Sequence, residues 1–214
     1  MTALRKKDAT GIGEKIDISM LDCQASLLNY IATMHLISGK DPQPIGNEHP
    51  VHAPFNSYKT ADGIIILSVV HEDFWPNLLK ALDLKELKDE KYQSVDGRSK
   101  ERTKIDSILQ EIFITNSTEH WLKILNDHRV PCGPVNKLSE VFKDPDLIKR
   151  DMVAEVKQPS GEIVKMPGNP VKIGDNKTEY KSSPELGEHS AEILNTWLGM
   201  TEEQIAELKE ENII

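Results

Sequence analysis

The sequence predicts an α+β fold, because two β-hairpin patterns lie among segments with the periodicity of amphipathic helices. In the first hairpin, residues 57–60 and 64–70 flank the turn Ala61-Asp62-Gly63. In the second, residues 152–156 and 162–164 flank a Pro-Ser-Gly turn at 159–161. The composition, 38% hydrophobic and 29% charged, is that of an ordinary globular protein.

The first 54 residues predict a strand, a long helix and a linker. Residues 14–19 alternate isoleucine with polar side chains, which indicates a short strand. Ser19 is expected to cap a helix whose apolar positions recur at helical spacing to about residue 37, and Gly39 is expected to end it. Residues 40–54 carry four prolines and one glycine, so they predict an ordered linker and a domain boundary.

Three helices are predicted between the first hairpin and residue 130. They cover about residues 73–82, residues 102–114, and a segment that starts near Ser117. Their predicted inner faces include Ile105, Ile108, Leu109 and Ile112 of the second helix and Trp121, Leu122 and Leu125 of the third.

Prolines, glycines and capping residues divide residues 130–153. Cys132-Gly133-Pro134 predicts a tight turn. Ser139 is expected to cap a short helix over 140–143, and Pro145 to begin another helix or turn. A polar connector is predicted at 172–184, followed by helices over about 187–198 and 201–210.

Composition excludes some classes of function. A formal charge of −9 argues against nucleic acid as a partner. The longest apolar stretch, residues 64–70, is too short to span a bilayer, and the N-terminal sequence lacks the apolar core of a secretory signal. The two cysteines, Cys23 and Cys132, have no metal-binding spacing and fit a reduced cytoplasm.

Five segments, in the same order, resemble the class III CoA-transferases, also called the CaiB/BaiF family, which includes formyl-CoA transferase, carnitine CoA-transferase and α-methylacyl-CoA racemase. Residues 10–22 read TGIGEKIDISMLD, similar to the family's TGxGxxVDVSxxD. Residues 46–63 contain GNEHP, APF and YKTADG, similar to its GNxHP, APY and TADG. The other matches are the arginine-containing segment 96–102, the segment 130–153, and PELGEHS with EIL in 184–194.

The resemblance implies the C-terminal part of the family fold without its N-terminal Rossmann-like half. Residues 1–54 would hold the end of the large domain, a strand, the long helix and the linker. Residues 55–165 would form a small α+β domain, and 166–214 a return segment with helices. The family's nucleophilic aspartate lies upstream of the TGxG motif, and Asp8 is too close to Gly11 to match it. We therefore expect no catalytic residue in this chain.

Candidate substrate or CoA-lining residues come from the same resemblance. Met20 matches a family position near bound CoA, although a methionine there can also fill a gap in the core. The loop that resembles GNxHP would reach the acyl-CoA thioester, where its backbone N–H groups could stabilise an oxyanion or the loop could exclude water. A proline-stiffened linker is the alternative interpretation. The loop candidates are His49, Pro50, His52, Ala53 and Pro54.

No metal site is predicted. His49 and His52 are three residues apart, but Pro50 and Pro54 prevent a helix that would align them. Asp17 and Asp22 are expected to be a solvent-facing strand residue and a residue of a helix first turn. The pair Glu188-His189 is expected to serve a helix start and packing.

The resemblance implies an acyl-CoA:carboxylate CoA-transferase. Its substrates would be an acyl-CoA and a carboxylic acid, with no covalently bound cofactor and no membrane partner. The GNxHP form of the loop favours a transferase over the alternative, a racemase that exchanges the proton α to a thioester. A non-catalytic dimerisation module is a third hypothesis. A homodimer, or a partner chain that supplies the N-terminal half, is expected to cover exposed apolar surface.

Overall fold

The computed structural model describes residues 1–174 and 178–214. The chain divides into two compact units, Met1–Pro134 and Val135–Ile214. Both contain helices and antiparallel strands, which confirms the predicted α+β class. The division at residues 54 and 165 by analogy with the family stays a prediction.

The first unit begins with three helices: α1 (Thr2–Thr10), α2 (Met20–Leu27) and α3 (Asn29–Ser38). As predicted, the Ser19 hydroxyl accepts the Asp22 N–H at 3.3 Å and caps α2. Glycine ends α3 as predicted, because Gly39 has φ 68°, a left-handed conformation that costs glycine little.

Two predictions for this segment are wrong. The single long helix is broken at Leu28, because Asn29 has φ 45°, outside the right-handed helical region. Residues 14–19 form no strand and pair with no strand in the described part of the chain. Ile16 and Ile18 are 67% and 75% exposed, so they pack on no described surface. Alternation of apolar and polar residues was therefore not sufficient for a strand here.

A three-stranded antiparallel sheet follows: β1 (Phe55–Lys59), β2 (Ile64–Ser68) and β3 (Cys132–Pro134), in that order. The β1–β2 pair confirms the first predicted hairpin. The predicted turn at 132–134 is wrong, since these residues pair with β2, Leu67 opposite Cys132 and Ile65 opposite Pro134. A distant strand thus decides their conformation.

The first unit contains four further helices: α4 (Phe74–Ala81), α5 (Val95–Lys100), α6 (Arg102–Phe113) and α7 (Thr118–Asp127). Of these, α6 contacts β1, and α7 contacts β2 and β3. Two 3₁₀ turns, Lys85–Leu87 and Glu90–Tyr92, join α4 to α5. The three predicted helices are confirmed. Fully buried core side chains include Tyr58, Ile65, Leu67, Trp75, Leu78, Leu87, Ile105, Leu109, Phe113 and Leu125.

The second unit contains α8 (Leu138–Val141), α9 (Pro145–Lys149), β4 (Val153–Lys157), β5 (Ile163–Pro167), α10 (Ser190–Leu198) and α11 (Glu202–Glu210). Strands β4 and β5 confirm the second hairpin, and Pro145 occupies the first turn of α9 as predicted.

Two predictions for the second unit need comment. Ser139 does not cap α8, because the helix already starts at Leu138 and the Lys137 N–H donates to the Glu140 carboxylate at 2.7 Å. Residues 175–177 of the predicted connector lie outside the described residues, while its described parts, 172–174 and 178–184, contain no helix or strand. Among the helices that the structure describes, none is long and apolar enough to cross a membrane.

Candidate functional site

Five of the six candidate residues lie in one loop, residues 46–54, which we call the His-Pro loop. It leads from the linker after α3 directly into β1. His49, Pro50 and His52 are partly exposed, whereas Ala53 and Pro54 are buried. The Ala53–Pro54 peptide bond is cis, and the Pro54 carbonyl accepts the Val69 N–H at 2.9 Å. The C-terminal end of the loop is therefore part of the core, and its middle faces outward.

Arg102, at the first position of α6, holds the middle of the loop. Its guanidinium donates to the His49 carbonyl at 2.7 Å, to the Glu48 carboxylate at 3.1 Å and to the His52 carbonyl at 3.3 Å. A planar guanidinium suits such a set, because it presents several N–H donors in fixed directions. The contacts fix the path of the backbone on both sides of Pro50.

Arg98, one helical turn earlier, holds the end of the loop. Its Nε donates to the Ala53 carbonyl, and its two other nitrogens donate to the Tyr92 carbonyl and the Glu72 carboxylate, all at 3.0 Å. The guanidinium also lies 5.1 Å from the centre of the Trp75 ring. Only 1% of the Arg98 side chain is exposed, so this arginine joins the loop to the core.

The His49 ring organises the loop from within. Its Nδ1 accepts the N–H groups of Val51 and His52, both at 3.1 Å. The ring stacks on Tyr30 of α3, with centroids 5.9 Å apart and planes at 16°, and it contacts the rings of His52 and Phe55. An aromatic cluster therefore holds this histidine in one orientation.

The surroundings of His49 favour the neutral form of its ring. Burial lowers the pKa of His49, and the neighbouring His52 and Arg102 lower it further. A proton on Nδ1 would also remove the acceptor that two backbone amides use. The neutral ring with its proton on Nε2 is therefore the form that fits the loop.

These contacts limit which backbone groups of the loop can meet a ligand. Pro50 and Pro54 have no N–H, and the amides of Val51 and His52 already donate to His49. Within the described residues, His52 Nδ1 is buried with no hydrogen-bond partner. The loop is thus preformed, and its amides at Val51 and His52 are not free to bind a ligand.

A groove lies beside the loop, with a volume of about 650 Å³, which is within the usual range for small-molecule sites. Ile31 and Met34 of α3 line one side, the segment from Pro42 to Ile45 lines the other, and Pro50 of the loop completes the wall. The groove is mostly apolar, with polar groups of His35, Lys40 and Asp41 at its rim.

The other candidates lie elsewhere. Met20 is 84% exposed at the start of α2, so it does not fill a gap in the core of this chain. Asp22 lies in the first turn of α2 as expected, and the Glu188 carboxylate accepts the Glu185 N–H at 2.7 Å, a local turn contact. The described residues contain no group of three or more His, Cys, Asp or Glu side chains that could hold a metal ion.

Sequence reasoning missed the residues that hold the loop: Tyr30, Glu48, Arg98 and Arg102. The segment 96–102 was noted only as a family likeness. The spacing of the two arginines is a signal, because residues four apart would lie on one side of a helix, although in the structure Glu101 separates α5 from α6. Their partners in the His-Pro loop lie 45 to 54 residues away in the sequence.

Comparison with known proteins agrees with the motifs. The model of the family described as CoA-transferase family III matches residues 1–190. Human succinyl-CoA:glutarate CoA-transferase is 32% identical over 216 residues, covering 100% of this chain and 49% of the relative. Formyl-CoA:oxalate CoA-transferase of Streptomyces avermitilis is 28% identical over 232 residues, covering 100% of this chain and 56% of the relative.

A solved structure agrees as well. The crystal structure of a CAIB/BAIF family protein from Brucella suis matches with a TM-score of 0.72 and 31% identity, over 90% of this chain and 50% of that one. The chain spans about half the length of the curated relatives it matches. With a family model that covers most of its residues, this chain belongs to CoA-transferase family III.

Proposed function

We propose that this chain is the C-terminal portion of an acyl-CoA:carboxylate CoA-transferase, which moves CoA from an acyl-CoA to a carboxylic acid. The observation that carries the proposal is the His-Pro loop. It has the sequence of the family's GNxHP loop, and two arginines and an internal histidine hold it in one shape. Such a preformed loop suits a reaction whose intermediates must be kept from water.

The proposed reaction is covalent catalysis by an aspartate that lies outside this chain. Its carboxylate attacks the thioester carbonyl and expels CoA thiolate, which leaves a mixed anhydride. The thiolate then attacks the aspartyl carbonyl, which releases the first carboxylic acid as its anion and gives an aspartyl-CoA thioester. The acceptor carboxylate repeats these steps in reverse order: it forms a second anhydride, and the thiolate takes the new acyl group and frees the aspartate.

In this scheme the present chain supplies the loop and part of the acyl pocket. The His-Pro loop would close over the anhydride, which water hydrolyses readily. The apolar groove beside Pro50 would hold the acyl chain. Met20, exposed at the start of α2, would lie near CoA, which acts as a substrate and not as a covalently bound cofactor.

We propose that a second polypeptide surface, from an N-terminal-half partner or from another copy of the chain, covers the first three helices. None of the residues in α1, α2 and α3, all of which the structure describes, is buried. Leu21, Leu27, Leu36 and Ile37 are each more than 70% exposed. Apolar surface on this scale is typical of an interface. The free thiols of Cys23 and Cys132 support a cytoplasmic location.

Calorimetry and a transfer assay test the proposal. The chain would be titrated with CoA and with succinyl-CoA, alone and mixed with the N-terminal half of a family member. Succinyl-CoA and glutarate are the first substrates to try, because a human relative uses them. Binding and transfer only in the mixture support the proposal, and tight binding by the chain alone contradicts the placement of the CoA site.

Two other outcomes would favour the alternatives. Exchange of the α-proton of an acyl-CoA without transfer would favour a racemase. Dimerisation of the chain with neither binding nor transfer in the mixture would favour a non-catalytic module.

A further inference from the structure

The hydrogen bonds of His49 assign its tautomer. The backbone N–H groups of Val51 and His52 both point to Nδ1 at 3.1 Å. A backbone N–H is always a donor, so Nδ1 must be the acceptor, and the proton of the neutral ring is on Nε2. The lowered pKa of His49 is consistent with a neutral ring at pH 7.

The direction of the Nε2–H bond is fixed as well. Tyr30 stacks against one face of the ring, the rings of His52 and Phe55 lie 4.8 and 5.4 Å away between centroids, and Arg102 holds the His49 carbonyl. A ring held at its backbone, its face and its Nδ1 has little freedom to turn. The Nε2–H donor is thus oriented before any ligand arrives.

No residue that the structure describes accepts a hydrogen bond from this donor. Among the described residues Nε2 has no hydrogen-bond partner, and, unlike His52 Nδ1, it is not an enclosed atom. It is therefore at least partly accessible, in a loop whose amides at 51 and 52 are already occupied.

We propose that His49 is a substrate-contacting residue whose Nε2–H donates a hydrogen bond to an oxygen of the substrate. The acceptor is either the thioester carbonyl or the carboxylate of the acid. A neutral N–H donor can stabilise the negative charge that develops on that oxygen by a hydrogen bond, without transferring its proton. Oxyanion-hole groups act in this way. The inference rests on the proposed CoA-transferase function and assigns to one side chain a role that the occupied amides of Val51 and His52 cannot fill.

Two variants separate the donor from the acceptor function of His49. In His49→Asn, the side-chain oxygen takes the place of Nδ1, so the amides of Val51 and His52 keep their acceptor, but the outward donor is lost. In His49→Gln, the side-chain NH₂ takes the place of Nε2, so the donor is kept and the acceptor for the amides is lost. Lys104→Gln, at an exposed site on α6, controls for a substitution outside the loop.

The loop is monitored on the chain itself. Ring ¹⁵N spectra of histidine-labelled protein report the tautomer, and hydrogen exchange reports the amides of residues 51 and 52. We expect an unprotonated Nδ1 and protected amides in the natural sequence and in His49→Asn, but unprotected amides in His49→Gln. A proton on Nδ1 of the neutral ring would overturn the inference.

Transfer is then measured in the mixture with an N-terminal half. We expect kcat to fall about 100-fold or more in His49→Asn despite its protected amides, the scale seen when one oxyanion donor is removed. His49→Gln should retain more activity than His49→Asn. The substrate whose KM also rises identifies the oxygen that is bound.

The two proposals fail differently. If the natural chain supports no CoA transfer in the mixture, the proposed function is wrong, and so is the role of His49 as a hydrogen-bond donor to the substrate. If transfer occurs and His49→Asn matches the natural chain, only the donor role is wrong.

Discussion

Arg98 offers the most direct test of how the His-Pro loop is attached to the core. Arg98→Met keeps a long, flexible side chain in the same space but removes every donor and the charge. The Ala53 and Tyr92 carbonyls then lose their partners, and so does the Glu72 carboxylate. We expect the first unit to be strongly destabilised.

The magnitude follows from the exposure of each partner. A buried carbonyl that loses its donor costs about 1–3 kcal/mol, and two are affected. The Glu72 side chain is 55% exposed, so water can replace the arginine there and the ion pair adds at most about 1 kcal/mol. We expect a total of about 3–5 kcal/mol, a large share of the roughly 5–15 kcal/mol that stabilises a typical domain.

Urea unfolding followed by tryptophan fluorescence measures the change. Trp75 and Trp121 lie in the core of the first unit, while Trp197, on α10 of the second unit, is 79% exposed and can be replaced by Phe. With a slope of about 2 kcal/mol per molar urea, the midpoint should fall by roughly 2 M.

A matched control and a clear refutation are available. Lys100→Met removes an exposed cation from the same helix, one that pairs with Asp96, and should change stability by no more than about 0.5 kcal/mol. If Arg98→Met unfolds at the same urea concentration as this control, Arg98 does not anchor the loop to the core and the reasoning fails.

Two further predictions concern the first unit. In Gly97→Ala, the new Cβ would overlap the Lys91 carbonyl oxygen, so the variant should lose about 1–3 kcal/mol of stability in urea unfolding. Gly133→Ala is the control and should lose no stability, because no described atom lies within 4 Å of its added Cβ. Equal stabilities of the two variants would contradict the packing at α5. Hydrogen bonds from the Thr118 backbone and side chain lower the pKa of Asp62 in the folded protein. Asp62 therefore stabilises the fold at pH values above its unfolded pKa, near 3.8. This stabilisation is lost as the pH falls through the lower pKa of the folded state. Asp62→Asn should therefore be less stable at pH 7 and should flatten the acid limb of a pH–stability curve, and an unchanged acid limb would show that this bond is unimportant.

The elements that the sequence predicts correctly are those decided by local pattern. Both hairpins follow from alternation around short turns, and α6 and α7 follow from apolar residues at helical spacing. Ser19 and Gly39 mark helix ends because caps act within one turn of the chain.

The errors arise where a distant segment decides the conformation. Cys132-Gly133-Pro134 has the composition of a turn, yet its pairing with β2, more than 60 residues earlier, makes it a strand. Residues 14–19 have the pattern of a strand but no strand beside them among the described residues. Asn29 interrupts a helix that periodicity alone would continue.

The candidate site shows the same division. The sequence predicts His49 and the prolines of the loop as candidates because they match a family motif. A motif match identifies individual positions along the chain. The clamp by Arg98 and Arg102 and the stacking of Tyr30 on His49 depend on tertiary contacts across 19 to 54 residues. No local pattern contains them, so only the structure could reveal them.

The central claim, that the nucleophile of the proposed transferase lies outside this chain, is tested most directly by trapping the intermediate. The chain and an N-terminal half would be incubated with succinyl-CoA, treated with hydroxylamine and analysed by mass spectrometry. We predict an aspartyl hydroxamate on the added half and none on this chain. A hydroxamate on any carboxylate of residues 1–214 would contradict the account.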